Sequence, residues 1–468
     1  MTGVFAQQVV FAKKLRTSTL ASRIEILKKL EFAVRRRQEE ILDCLQFDFS
    51  KAPTETLLTE VLPLLSELDF CLRHLKSWMK PKKVATPLLL FGSISEIVLE
   101  PRGSCLIIAP WNYPFYLALA PLVAAIAAGN TVILKPSELT AQTSRLIASI
   151  CAEVFPPEHV AVFLGGKEVS EELLKLKFDH IFFTGSTTVG KLVMRAAAEN
   201  LTTVTLELGG KSPTVVDSTC DIEWAAKKIA WGKSVNAGQT CVAPDYVFVH
   251  QSVFEKFKTL YLQNIEMFYP ASSFNQDFAR IINRNHGERL ASMLAPAELQ
   301  GASTVLKGAA PNHQQRMLPA VVDLRDKKIH FEKLSLMTEE IFGPILPLLC
   351  YENIEEVIEA INFREKPLAL YIFSKDKVTQ RRLIESTSSG GVVVNDVLVH
   401  LLNPNLPFGG VNQSGHGSYH GYYGFRAFSH EKAVLRQGIF GRLLAILFPP
   451  YTPVKERIAE FLVRFRIH

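Results

Sequence analysis

The sequence lacks paired cysteines. Its seven cysteines (Cys44, Cys71, Cys105, Cys151, Cys220, Cys241 and Cys350) are scattered over 468 residues without one CxxC. That speaks against a disulfide framework and a zinc cage, and it points to a reducing compartment. Basic tracts interleaved with aromatics are missing too. The net charge is +6 with both signs mixed, and the densest cluster, Arg35 to Arg37, reads as a solvated helix face. No nucleic-acid groove is expected. There are no internal repeats or low-complexity tracts. The opening stretch "MTGVFAQQVVFAKKLRTSTLASR" has no apolar run followed by a small-residue cleavage site, so it reads as the first helix of a cytoplasmic protein. An unbroken membrane-length apolar run is also absent. Leu106 to Leu134 carries no charge, yet Pro110, Asn112, Pro114, Pro121, Gly129 and Asn130 divide it into strand, turn, helix and turn. A buried core is expected there, not a membrane span.

What is present is a globular chain, 48% hydrophobic and long enough for two or three domains. Residues 1–80 read as helices, with Ile24, Ile26, Leu27, Leu30 and Phe32 at roughly helical spacing. From Ser104 onward, β-rich runs ("CLIIAP", "TVILKPS", "AVFLGG", "HIFFTGS", "VTLELGG") alternate with longer helical stretches. A second block of the same kind runs from about Pro213 to Val394. The alternation predicts an α/β chain, with parallel sheets covered by helices on both faces and two such domains in series. The tail beyond His430 reads as an amphipathic basic helix. Val454, Ile458, Phe461, Leu462 and Phe465 share a face, and Lys455, Arg457, Arg464 and Arg466 lie mostly elsewhere. It could rest on anionic lipid, cap a substrate funnel or pack on a second subunit.

Several stretches carry chemistry. "IFFTGSTTVGK" reads as a buried strand ending at Gly185, a turn through Ser186, and a helix opening near Gly190, whose first amides would favour an anion such as a pyrophosphate. It lacks the GxGxxG spacing of the usual dinucleotide fingerprint. "TVILKPSEL" places Lys135 and Glu138 at a strand's carboxyl end, where they could bind a ribose or form a plain surface turn. Glu207, inside the apolar run "VTLELGG", is either a general base of raised pKa or a carboxylate bonded to backbone amides. Cys241 follows "NAGQT", whose small residues leave an amide free for an oxyanion, so its sulfur is either a nucleophile or inert filler. Asn112 stands in "APWNYP" between two prolines, with its side-chain amide as the available donor. His416 and His420 are four apart, but Gly415, Gly417 and Gly421 argue for a loop, and no metal site is expected.

Taken in order, "APWNYP", "LKPSE", "FTGSTTVG", "LELGGKSP", "NAGQTC", "EEIFGPILP" and "LPFGGVNQSG" resemble the aldehyde dehydrogenase superfamily. "REKPLALYIFS" and "SGHGSYHGYYGFRAFSH" look most like its class 3 branch, which includes fatty aldehyde dehydrogenases. The resemblance implies a Rossmann-type cofactor domain (residues 1–80 and 104–208) and an α/β catalytic domain (209–394). It further implies small β oligomerisation or bridging segments (81–103 and 395–430), a C-terminal tail (431–468) and a homodimer. It implies oxidation of a medium- to long-chain aliphatic or aromatic aldehyde to the acid, through a cysteine thiohemiacetal and thioester. Cys241 would be the nucleophile, Asn112 an oxyanion donor and Glu207 the base that activates water. Lys135 and Glu138 would hold the adenosine ribose, and Gly185, Ser186 and Gly190 would face the pyrophosphate. Glu340 and Phe342 would attend the nicotinamide side. The cofactor is expected to be NAD, with NADP as the alternative, because Glu138 would repel a 2′-phosphate. His416 stands where the branch would place methionine, and "YYGF" replaces a more polar stretch. A CoA-acylating relative and an idle membrane-surface scaffold are the rival readings. Retention of Glu207, Cys241 and Asn112 argues against both.

Overall fold

The computed structural model describes residues 1–305, 316–326, 331–438 and 445–464. Its N-terminal helices include Thr2–Leu15, Leu20–Arg36, Gln38–Phe49 and Leu62–Trp78. The second buries Leu27, Leu30 and Val34 at i, i+3 and i+7, the spacing of one helix face. Phe32, grouped with that face from the sequence, instead stands in solvent with the Arg36 guanidinium 5.9 Å from its ring centre. It is one residue pair off the buried stripe.

The first sheet has six strands. Ser104–Ile108, Thr131–Lys135, Val160–Val162, His180–Gly185 and Thr203–Leu208 run parallel, and Gly415–His416 closes one edge antiparallel to Thr203–Leu208. Two of these strands, Ser104–Ile108 and Thr131–Lys135, are mainly apolar and buried at every position, as a parallel sheet covered on both faces requires. Strand order reverses beside Ser104–Ile108, which pairs with Thr131–Lys135 on one side and His180–Gly185 on the other. A ligand crevice belongs at the carboxyl ends of strands at such a switch point. The helix Tyr116–Ala128 covers one face with twelve of its residues buried, and Pro121 lies inside it. The proline therefore removes one amide from a helix that tertiary burial sustains, without ending it.

Only a short link separates the first sheet from the second. Leu208 ends one, Pro213 begins the other, and Gly209 and Gly210 lie between. The second sheet has seven strands. Pro213–Val216, Tyr246–His250, Ala320–Asp323, Ile345–Tyr351, Ala369–Phe373 and Gly391–Val394 are parallel, with Ser303–Val305 antiparallel at one edge. A third sheet joins Lys82–Val84, Ile94–Pro101 and Ser429–Arg436, all antiparallel. The tail boundary drawn at residue 431 falls inside the last of these strands, which continues to Arg436. Beyond it, the helix Pro453–Arg464 buries none of its residues. Phe465 and Arg466, assigned to that helix from the sequence, lie outside the described residues.

Candidate active site

A cavity of about 280 Å³ opens where the strands ending at Ile108, Gly185 and Leu208 meet the start of the second sheet. Asn112, Gly185, Ser186, Glu207, Cys241, Glu340 and Phe342 all line it. Seven residues singled out from separate stretches of sequence therefore share one space. Lys135, Glu138 and Gly190 are not among its walls. Lys135 ends its strand buried and pairs with Glu138 at 2.7 Å, leaving the Glu138 side chain half in solvent. The helix after Gly185 opens at Thr187, three residues earlier than expected, with the Ser186 hydroxyl accepting from the Val189 amide at 3.4 Å. Gly190 sits in its first turn, where a Cβ would stand 2.6 Å from Leu208. Its smallness lets the helix pack closely on the strand that carries Glu207.

Glu207 is buried on the strand Thr203–Leu208, and neither carboxyl oxygen has a hydrogen-bond partner. Of the two readings its sequence context allowed, bonding to backbone amides is thus excluded. Burial holds its pKa well above the usual carboxylate range. Burial also raises the Cys241 thiol, and the nearby Glu340 and Glu207 carboxyls raise it further. The amides of Cys241 and Val242 pull the other way, since both reach the sulfur. Two backbone amide donors therefore lie beside the sulfur. Asn112 adds a third candidate. Its side-chain amide is buried and donates to the Gln239 carbonyl at 3.1 Å, while its backbone carbonyl accepts from Asn236 at 2.8 Å. One of its two amide hydrogens is thereby fixed, which orients the other.

The loop bearing Cys241 is held by unusual backbone. Asn236, Ala237 and Gly238 all have left-handed φ, at 53°, 53° and 70°. A Cβ at Gly238 would meet the Gly343 carbonyl oxygen at 2.4 Å, so only glycine allows this loop to touch the segment carrying Glu340 and Phe342. Gln239 ties the turn down, donating to the Asn236 and Arg280 carbonyls and accepting from the Ile282 amide. Behind it, Glu55 accepts from the Asn236 amide at 2.9 Å. The buried Lys51–Glu60 pair, 2.9 Å apart, fixes the Asn112 loop through the Phe115 and Tyr116 amides.

Residues 339–342 are strapped from both sides. Lys211 donates to Asp245 and to the Leu336 and Glu339 carbonyls, and Asp245 accepts from the Ile341 amide at 3.1 Å. Arg289 donates to the Glu340 and Ile341 carbonyls. Phe342 has φ 50° and sets its ring edge-on to Trp111, centroids 5.3 Å apart. Glu340 is half-buried and pushed up to about 8, chiefly by desolvation of its carboxyl and then by Asp245, and its Oε1 has no partner. Its carboxyl fills the space a Cβ at Gly209 would take, 1.9 Å from Oε2. Lys51, Glu55, Glu60, Lys211, Asp245, Gln239 and Arg289 escaped the sequence reading. Lys211 and Asp245 carried one usable signal, being lone charges beside the runs "LELGG" and "YVFVH". Among the described residues no group of three His, Cys, Asp or Glu side chains could hold a metal ion. His416 lies exposed on its short strand, whereas His420 is buried against Tyr116.

Comparison with known proteins shows the family to which the chain belongs. The sequence pattern of the aldehyde dehydrogenase family matches residues 6–434. The chain belongs to the aldehyde dehydrogenase family. It is 44% identical to a 4,4'-diaponeurosporen-aldehyde dehydrogenase of Staphylococcus aureus, over 98% of both chains. It is 41% identical to aldehyde dehydrogenase family 3 member A2 of the mouse, covering 96% of this chain and 91% of that one. A substrate-bound structure of Staphylococcus aureus AldH superposes with a TM-score of 0.92 at 42% identity, covering 98% of this chain and 99% of that one. These likenesses place this dehydrogenase in the class 3-like branch. It is an oxidoreductase that oxidises aldehydes with a nicotinamide cofactor, NAD or NADP. The chain's own residues fit such a group. The unpartnered Glu340 oxygen, the Gly209 backbone and the Gly185–Ser186 turn at a helix start line one continuous space.

Proposed function

We propose that this dehydrogenase oxidises medium- to long-chain aliphatic or aromatic aldehydes through a thioester on Cys241, with NAD preferred over NADP. The observation that carries the reading is the pairing of Cys241 with a buried Glu207 whose oxygens are both unbonded. The Cys241 sulfur, as thiolate, adds to the aldehyde carbon and gives a thiohemiacetal. Asn112 and the Cys241 amide hold the oxyanion. A bound nicotinamide cofactor supplies the hydride acceptor, leaving the acyl group on sulfur. Glu207 then takes a proton from water, the hydroxyl attacks the thioester carbon, the C–S bond breaks and the carboxylic acid leaves. Lys135 and Glu138 would hold the adenosine ribose, Gly185, Ser186 and Gly190 the pyrophosphate side, and Glu340 and Phe342 the nicotinamide side. Glu138 favours NAD because its charge opposes a 2′-phosphate. The apolar walls Leu117, Phe408 and Tyr419 support a hydrophobic acyl chain.

A panel of aldehydes of increasing chain length, read by cofactor reduction with NAD and with NADP beside Cys241→Ser, tests this. Higher kcat/KM for short polar aldehydes would overturn the substrate class. Turnover without a mass-spectrometric thioester at Cys241 would overturn the mechanism.

The protein is proposed to act in the cytoplasm as a homodimer. Gly391–Val394 and Ser429–Arg436 are edge strands of their sheets, the positions from which a sheet can extend into a second copy. A single monomeric species by light scattering would refute the dimer. No helix among the described residues is long and apolar enough to cross a membrane. A peripheral membrane contact is proposed for the tail, where Ile446, Phe448, Tyr451 and Val454 are exposed beside Lys455 and Arg457. Equal sedimentation with anionic liposomes by the full chain and a form ending at Arg436 would end that idea.

A further inference from the structure

Glu67 takes no part in the chemistry above, yet it is buried and reaches far along the chain. Its Oε1 accepts a hydrogen bond from the Gly421 amide at 2.7 Å, across 354 positions of sequence. Burial pushes the carboxyl up to about 7, and among the described residues no cation pairs with it. Gly421 has no slack. It holds φ +49°, and a Cβ there would stand 2.3 Å from the Pro404 carbonyl oxygen and 2.8 Å from the Phe70 ring.

The residue before it, His420, is buried with left-handed φ of 78°. Its Nε2 meets the Tyr116 hydroxyl at 3.2 Å, and its ring stacks on Phe408 with centroids 5.2 Å apart and planes 14° from parallel. Phe408 and Tyr419 bond each other's backbone in both directions, at 3.1 and 2.7 Å. Both line the cavity of Cys241, together with Leu117, the neighbour of Tyr116 in sequence. The Tyr419 hydroxyl lies within electrostatic reach of Tyr116, Glu207, Cys241 and Glu67 together. One hydrogen bond from Glu67 thus anchors, through Gly421 and His420, the aromatic wall of the cavity.

We propose that Glu67 is a positioning residue that sets chain-length preference. By fixing Gly421 it holds the Phe408–Tyr419 wall against which the apolar part of the aldehyde lies, with Tyr116 as the second tether on His420. This rests on the reading of Cys241 as the nucleophile. A long acyl chain must touch the wall to gain from it, whereas the shortest aldehydes react at the sulfur without reaching it. A loosened wall therefore costs long substrates binding and spares the chemical step.

The test compares the wild-type enzyme with Glu67→Ala, Glu67→Gln and Tyr116→Phe over straight-chain aldehydes, with saturating NAD. For Glu67→Ala, KM for the longest aldehydes should rise about tenfold while kcat stays within about twofold and KM for the shortest is unchanged. Glu67→Gln keeps a carbonyl to accept from Gly421 and should return to within about twofold of wild type. Tyr116→Phe, which removes one hydroxyl from a filled site, should raise KM for long aldehydes by about threefold and serves if Glu67→Ala does not fold. An unchanged dependence on chain length in Glu67→Ala or Tyr116→Phe overturns the proposal, as does an equal fall of kcat for all aldehydes. Wild type that oxidises no aldehyde in the series would instead refute the reading on which the proposal stands.

Discussion

At the residue scale, the site works by withholding partners from charged groups. Glu207 has no hydrogen bond and Glu340 leaves one oxygen unbonded, so both stay protonated beyond the usual carboxylate range. A base of raised pKa must first lose its proton, so kcat should rise as pH climbs through the Glu207 pKa. Glu207→Gln should abolish that limb and lower steady-state turnover by about 10²- to 10⁴-fold while leaving a single-turnover burst of reduced cofactor. Stopped-flow absorbance across a pH series checks both; loss of the burst would mean that Glu207 serves acyl formation instead. Cys241→Ser should cut turnover by about 10³-fold or more, because an alcohol neither ionises nor leaves as a thiolate does. Glu67 gives a stability prediction of definite sign. With its pKa at about 7, the folded state binds the proton more tightly than the unfolded chain does. The stabilisation is complete at pH below the ordinary carboxylate range and disappears as pH rises through about 7. The swing is at most about 3 kcal/mol. Urea unfolding at acidic and alkaline pH should show wild type losing more stability than Glu67→Gln; equal losses would refute it.

At the scale of elements, the decisive parts are turns. Three left-handed residues from Asn236 to Gly238 carry the Cys241 loop onto the Gly343 backbone. Gly238→Ala should destabilise the protein by about 2 kcal/mol or more, since it adds both a poor φ and a clash with backbone. It should also impair cofactor binding, because the displaced segment holds Glu340 and Phe342. Thermal unfolding together with fluorescence titration of reduced cofactor would measure both, and an unchanged cofactor affinity would uncouple the two loops. Sequence made the alternating strands legible, because their apolar runs are continuous and buried. It also made the seven lining residues legible, because their motifs are local. Lys51, Glu55 and Glu60 were not, since a buried charge whose partner and ligand loop lie elsewhere looks like any surface charge on or between helices. The Thr187 helix start was missed for a similar reason: Ser186 is a good cap, and the reading waited for Gly190, whose real constraint is a neighbouring leucine.

At the scale of the whole molecule, two large sheets and a small one divide the chain, and the divisions are not collinear with sequence. Gly415–His416 returns to the first sheet after the second is complete, and Ser429–Arg436 returns to the third. No local pattern announces such returns; they follow from which edges stay open. Ending the chain after Arg436 should leave Tm within about 2 °C, because the described part of the tail buries nothing. Ending it after Phe428 removes an eight-residue pairing and should lower Tm by about 5 °C or more. Differential scanning calorimetry of the two forms decides, and equal melting would show that the third sheet contributes nothing.

Glu207 rides on a strand of one sheet and Cys241 on the turn that leads into a strand of the other, with the short link Gly209, Gly210, Lys211 and Ser212 joining the sheets. Residues of both sheets share one continuous buried apolar cluster, so the spacing between that carboxyl and the sulfur is held by common packing as well as by the link.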